Sequence, residues 1–265
     1  MRSPEELARD KLFKKICRKA GTTMRDHRML APGDHVLVGL SGGKDSMILL
    51  EVLKERIAAL PFEVGLSAAH IEAGGIGYTI DRKGLSGFCH SLDVALYFEQ
   101  IAVNPAKEPG QRKAKEAKVS GPQKKACFIC SWHRRKALFT LGKTLRCNKL
   151  ALGHHRNDAV ETLLMNMIYH GSISSLPHKL RMFDGRIELI RPLLDLDERL
   201  LGDYAERADL VKIEKHCPHE DQTKRTKMRE LMHQIEALHG QGSFNTYKSM
   251  SRIFPEYLPG VQKGE

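Results

Sequence analysis

The chain sets Ser41-Gly42-Gly43-Lys44-Asp45-Ser46 between an apolar run, Val36 to Leu40, and an apolar-periodic segment that opens at Met47-Ile48-Leu49-Leu50. Two adjacent glycines let the backbone turn tightly and aim several N–H groups at one point, and a helix starting there adds partial positive charge. Such a loop holds an anion, most simply a phosphate or pyrophosphate. It is not a Walker A loop, whose glycines are spaced more widely and which ends Gly-Lys-[Ser/Thr]; here Asp45 follows Lys44.

Gly153-His154-His155-Arg156-Asn157-Asp158 joins the apolar Leu150-Ala151-Leu152 to a segment whose Val160, Leu163, Leu164, Met167 and Ile168 mark one buried helical face. Asn157 or Asp158 can cap that helix. Gly153 lets a nucleotide approach the backbone, and the Asp158 carboxylate can hold Mg²⁺, orient sulfur or move a proton. The adjacent histidines are weak metal ligands because their side chains diverge.

Six cysteines lie at 17, 89, 127, 130, 147 and 217. Cys127-Phe128-Ile129-Cys130 reads as metal-binding or redox-active. It opens a helix, where thiolates gain from the N-terminal dipole, and His133, Arg134, Arg135 and Lys136 add positive potential. Cys217 can supply a third sulfur. Three thiolates do not complete a closed structural zinc site; they suit a [4Fe–4S] cluster with one open iron, although spacing alone ranks zinc or a redox dithiol first. Cys147 could be a fourth ligand, but its apolar neighbours mark it, like Cys17 and Cys89, as core.

The elements that must position these residues follow from periodicity. Helices are expected at 3–28, from the glycine loop to about Ala59, and at 85–95, 128–145, 197–207, 222–238 and 243–253. Strands are expected at 35–40, 62–71, 96–103, 150–152, 187–190 and 210–214. The alternation predicts an α/β fold, a parallel twisted sheet with helices on both faces. Ligands of such sheets lie beyond the carboxyl ends of the strands, at the point where strand order reverses. The 40–46 loop, His70 and Gly153 each follow or end a strand, so they should converge on one crevice.

The expected organisation is a basic helical segment at 1–30, a nucleotide-binding domain at 31–220 and a helical segment at 221–265. Seven Lys or Arg among the Pro and Gly of 104–126 read as a mobile basic insertion, either a solvated linker or a nucleic-acid clamp. Net charge is +11 and the pI about 9.4, which favours a polyanionic partner. No apolar stretch is long enough for a membrane span, and the first residues have no signal-peptide core, so a cytoplasmic location is expected.

Ser41–Ser46 resembles the PP-loop of the ATP pyrophosphatases, which transfer AMP to a carbonyl oxygen and release pyrophosphate. From about residue 33 to 259 the chain resembles the TtcA/TtuA group of tRNA sulfurtransferases. The resemblance rests on the PP-loop, Cys127-Phe128-Ile129-Cys130-Ser131-Trp132-His133-Arg134, Gly153-His154-His155-Arg156-Asn157-Asp158, Ile190-Arg191-Pro192-Leu193 and Met250-Ser251-Arg252-Ile253-Phe254-Pro255. It is nearer the 2-thiocytidine type, because six cysteines cannot supply the extra zinc fingers of the 2-thiouridine type.

The resemblance implies an adenine nucleotide alpha hydrolase-like fold that uses ATP and Mg²⁺. The nucleotide would meet Leu40, Ser41, Gly42, Gly43, Lys44, Asp45 and Ser46, with His70, Gly153 and Asp158 beside it. Asp45, Arg134 and Asp158 would act in catalysis, and Cys127, Cys130 and Cys217 would hold a [4Fe–4S] cluster. Implied partners are tRNA and a sulfur donor, either free sulfide or one derived from a cysteine desulfurase. Many related proteins are homodimers. The chain departs from the 2-thiocytidine pattern in having Cys217 without a second Cys-x-x-Cys, and in the segment Glu72–Tyr78. Two other readings stay open: a PP-loop enzyme that thiolates, desulfurises or amidates a small molecule, and a tRNA-binding homologue without catalysis.

Overall fold

The computed structural model describes residues 3–102, 122–210, 213, 215–216 and 224–258. The helices are α1 (Pro4–Asp26), α2 (Lys44–Ala58), α3 (Arg82–Ser91), α4 (Pro122–Thr144), α5 (Arg156–His170), α6 (Glu198–Arg207), α7 (Lys224–Leu238) and α8 (Gly242–Ser249). The strands are β1 (His35–Gly39), β2 (Gly65–Gly74), β3 (Thr79–Ile80), β4 (Ala95–Ala102), β5 (Lys149–Ala151), β6 (Lys179–Met182), β7 (Ile187–Ile190) and β8 (Lys215–His216). They fall into two compact units, residues 1–155 with 177–223, and 156–176 with 224–265.

The first unit holds a six-stranded sheet in the order β4-β2-β1-β5-β7-β6. The chain builds outward from β1 through β2 to β4, then returns to the other side of β1 as β5. Strand order therefore reverses between β1 and β5, and the loops after these two strands flank the switch point. Side chains alternate across the sheet with the period of a strand. Val36, Val38, Ala68, Ala151 and Ile190 join a core with α1, α2, α3 and α6, while Leu37, Ala69, Ile71, Leu150 and Leu189 face Leu138 and its neighbours on α4.

Helix α1 begins with a capping box. The Ser3 hydroxyl accepts from the Glu6 N–H, and the Glu6 carboxylate accepts from the Ser3 N–H. Its Ile16, Cys17, Ala20 and Met24, at helical spacing, are buried in the first core. At the amino ends of the strands, buried Lys149 pairs with Asp34 (3.5 Å) and with Glu188. This ion cluster ties together β1, β5 and β7 at the end remote from the switch point.

The sheet differs from the all-parallel expectation at one edge, where β6 pairs antiparallel with β7. Phe183, Asp184 and Gly185 all take positive φ and turn the chain back at once. A connection this short can join only antiparallel strands. Two further strands escape the periodicity because they are two residues long. β3 and β8 form a separate antiparallel ribbon, with Thr79 opposite His216 and Ile80 opposite Lys215. Of the strand expected at 210–214, residues 211, 212 and 214 lie outside the described residues, and the observed pairing is at 215–216.

The second unit consists of α5, α7, α8 and a 3-10 turn at Pro255–Tyr257. Within it Arg229 pairs with the buried Glu161 carboxylate at 3.0 Å. Gly242 sits so close to the Ile235 carbonyl that a Cβ would lie 2.6 Å from its oxygen. Among the described residues no helix is long and apolar enough to cross a membrane.

Candidate nucleotide and sulfur-transfer site

The loop after β1 is anchored at its first residue and bonded within itself. Leu40 N–H donates to the Ala69 carbonyl (2.8 Å). The Ser46 hydroxyl accepts from the Ser41 N–H (3.0 Å) and lies 2.9 Å from the Gly43 carbonyl oxygen, to which it donates. Ser41 Oγ accepts from the Gly43 N–H (3.2 Å) and lies 3.1 Å from Ser46 Oγ. Gly42 takes φ +76°, and a Cβ there would also strike Ile80 (2.9 Å) and Ile213 (3.2 Å). Gly43 caps α2 without a side-chain hydrogen bond. The first turn of α2 thus presents N–H groups and its partial positive charge to an anion.

Gly153, at the end of β5, closes the other side of the switch point. A Cβ on it would lie 2.9 Å from the Asp45 carbonyl and 3.0 Å from the Ser46 nitrogen. Lys44 Nζ reaches both Asp45 carboxylate oxygens (3.1 and 3.2 Å) and Glu198 (3.4 Å). Burial acts to lower the Lys44 pKa, but the two carboxylates outweigh it and hold the amine above its ordinary value. Lys44 is a cation throughout the physiological range. The buried His155 places Nε2 3.9 Å from the Asp45 carboxylate. Its neighbour His154 turns away and accepts from Arg191 Nε through Nδ1 (3.3 Å).

His70 is fully buried at the middle of β2. Its Nδ1 lies 2.7 Å from the Leu40 carbonyl oxygen and its Nε2 3.2 Å from the Tyr78 hydroxyl. Burial depresses its pKa, so the ring is neutral, donating to Leu40 and accepting from Tyr78. Both ring nitrogens are used in fixing where the glycine loop begins. Tyr78 stacks on His70 and carries the Arg134 guanidinium 4.5 Å from its ring centroid. Arg134 also donates to the Ile71 carbonyl (3.0 Å), and its buried Nε has no hydrogen-bond partner among the described residues.

Cys130, on α4, is half-buried against the cluster of Ala73 and Ile129, to which Tyr78 also belongs. Ala73 lies at the carboxyl end of β2, so Cys130 occupies the same end of the sheet as the glycine loop. Cys127 falls within α4 three residues earlier; its side chain lies outside the described residues, as does Cys217. Most of the basic insertion, residues 103–121, lies outside them too. Cys17, Cys89 and Cys147 are buried, and burial pushes their thiols up to about 12, 11 and 11. All three pack within the hydrophobic cores, as small apolar side chains do.

Asp158 lies in the first turn of α5, in the second unit, and its carbonyl accepts from the Thr162 hydroxyl (2.7 Å). The Gly153–Asp158 run therefore crosses from one unit to the other between His155 and Arg156.

A family model described as the PP-loop domain matches residues 12–235. A tRNA-cytidine(32) 2-sulfurtransferase from Pelobacter propionicus is 32% identical over 96% of this chain and 91% of its own length. The protein of the same name from Polynucleobacter asymbioticus is 32% identical over 94% of this chain and 79% of its own.

The chain belongs to the PP-loop family, in its tRNA sulfurtransferase group.

Among solved structures, the U34-tRNA thiolase NcsA from Methanococcus maripaludis, with its [4Fe–4S] cluster, shares the fold at a TM-score of 0.70 and 23% identity, over 96% of this chain and 82% of that one. NMN synthetase from Francisella tularensis matches at a TM-score of 0.50 and 12% identity, over 97% and 99%. Both are similar in fold.

Four residues of this PP-loop protein's site carry no signal in the sequence. Tyr78, Ile80, Ile213 and Glu198 lie outside any motif, yet they hold His70, cover Gly42 and bind Lys44.

Proposed function

We propose that this chain is an ATP-dependent tRNA thiolase that exchanges the 2-oxygen of a cytidine for sulfur. The observation that carries the reading is the β3–β8 ribbon. Ile80 on one strand and Ile213 just before the other rest on Gly42 of the phosphate loop, and β8 ends at His216, the residue before Cys217 in the sequence. On β3, Thr79 follows Tyr78, which packs in the same cluster as Cys130. The phosphate loop, the ribbon and Cys130 thus share one end of the first unit.

In this reading the ATP phosphates lie on Ser41–Ser46 and the α2 N-terminus, with Lys44 offsetting their charge. Gly153 lets the chain after β5 close on the Asp45 and Ser46 backbone beside the phosphates. The base oxygen attacks the α-phosphorus, the bond to pyrophosphate breaks, and the base carries AMP. A sulfide-level sulfur then forms the C–S bond as AMP leaves with the oxygen. Arg134, held by Ile71 and Tyr78, points positive charge at this end of the sheet and steadies the developing anion.

The half-buried Cys130 fits a ligand role that the three core cysteines do not. With Cys127 and Cys217 it would hold a [4Fe–4S] cluster, which supplies an iron with an open position for sulfur. Asp45, beside the phosphates, would meet Mg²⁺. The target base must be unstacked to enter, so a single-stranded loop of tRNA is the natural substrate. The relatives named for cytidine 32 support this acceptor. A net charge of +11 suits a polyanion.

Anaerobically purified protein, given ATP, sulfide and tRNA, is expected to yield 2-thiocytidine detectable by mass spectrometry of digested nucleosides. Cys217→Ala is expected to abolish both product and iron–sulfur absorbance while the fold persists. Full thiolation by Cys217→Ala, or no thiolated nucleoside from the loaded wild type, overturns the reading.

A further inference from the structure

We propose that His27, His178 and Asp195 form a binding site for a divalent transition-metal ion, zinc by the nature of the donors, separate from the nucleotide and cysteine sites. One ligand atom from each lies within 4.8 Å of the other two. His27 follows the last turn of α1, His178 immediately precedes β6, and Asp195 lies in the turns after β7. Two imidazoles and a carboxylate are a common zinc donor set, leaving a fourth position for water.

The three side chains are held close by their surroundings. The imidazoles of His27 and His178 stack with centroids 3.7 Å apart and planes 12° from parallel. His178 Nε2 lies 2.9 Å from Asp195 Oδ1. The other oxygen, Oδ2, accepts from the hydroxyl of buried Thr23 (2.7 Å), one turn before His27. This is how an outer hydrogen bond orients a ligating carboxylate. The backbone is clamped on both sides. Arg191 donates to the His178 and Pro177 carbonyls, and Lys179 donates to the Arg28 carbonyl.

His27 is the element left to move. It is exposed, and its ring nitrogens make no hydrogen bond among the described residues. Zinc bonds of about 2.0–2.1 Å set donor atoms roughly 3.4 Å apart in a tetrahedral site. Rotation of His27 out of the stack supplies the closure. A bound ion would clip the end of α1 to the β6–β7 hairpin, joining residues about 150 apart in sequence.

The test uses the full chain, stripped with chelator and titrated with Zn²⁺ alone. Ions are counted by equilibrium dialysis with elemental analysis, in wild type, His27→Ala and Asp195→Asn. Zinc on the cysteines is common to all three and cancels in the comparison. Wild type is expected to bind one more ion than either variant and to melt higher with Zn²⁺, a gain that His27→Ala loses while its metal-free melting is unchanged. Thr23→Val is expected to weaken the extra site by about 10-fold or more. Equal ion counts in all three proteins, or an anomalous zinc signal in crystals confined to the cysteines, overturns the proposal.

Discussion

Gly153 stands against Asp45 at a separation that admits no side chain. A Cβ on Gly153 would lie 2.9 Å from both the carbonyl carbon and oxygen of Asp45. The obstacle is backbone on the first turn of α2, and backbone cannot swing aside as a flexible side chain can. The β5 loop and the phosphate loop are therefore docked main chain to main chain across the switch point.

Gly153→Ala should force these two segments apart. Overpacking of this kind costs about 1–3 kcal/mol, which denaturant unfolding will report. ATP affinity should fall by more than the stability loss alone would suggest, because the N–H groups of α2 are displaced. Gly87→Ala is the control. Gly87 is exposed within α3 and its Cβ would meet nothing within 4 Å, so the same change should stabilise by about 0.5–1 kcal/mol. ATP affinity unchanged in Gly153→Ala would refute the role given to this contact.

Arg134 is positioned by a carbonyl and an aromatic ring together. Lysine cannot reproduce both the planar stack on Tyr78 and the hydrogen bond to Ile71. Arg134→Lys should lower the thiolation rate by about 10²-fold, the scale of losing one electrostatic contact to a transition state, with ATP affinity nearly unchanged. A parallel loss of ATP affinity would show instead that Arg134 shapes the nucleotide loop. Tyr78→Phe removes only the hydroxyl bound to His70 and should cost about 1 kcal/mol of stability.

Glu51 should make stability fall as pH rises. It is half-buried on α2, where its carboxylate accepts from the Tyr204 hydroxyl of α6 (3.2 Å), and loss of solvent pushes its pKa up to about 7 from 4.5. Between those values the folded protein keeps a proton that the unfolded chain has released. Stability contributed by the neutral form is thus complete below about pH 4.5 and is lost as pH climbs through 7. Glu51→Gln keeps a hydrogen-bond partner for Tyr204 without the charge. It should be more stable than wild type at pH 8, by on the order of 1–3 kcal/mol, and the two should converge near pH 5. Parallel unfolding curves across this range would refute the assignment.

The strand–Gly-Gly–helix transition at 36–50 and the strand before Gly153 were readable because each is decided within a few residues. The order of elements told that the strands would run parallel, which holds for all but the β6 edge of the main sheet. The β6 edge was missed because Lys179–Met182 alternates too briefly to register, and its pairing depends on the turn at Phe183–Gly185. His70 was placed near the nucleotide, but its two bonds to Leu40 and Tyr78 could be learned only from coordinates.

Chain order alone determined the chemistry on offer: a phosphate loop, a cysteine pair on a helix, a glycine after a strand and an excess of positive charge. Periods of two and of 3.6 residues are local, so these features survive without knowledge of the rest of the molecule. Tertiary structure alone decided which distant residues meet. Ile80 and Ile213 lie on Gly42, Glu198 binds Lys44, and His27 stacks on His178. Those contacts come from close packing between segments far apart in the chain, where no local preference records the partner.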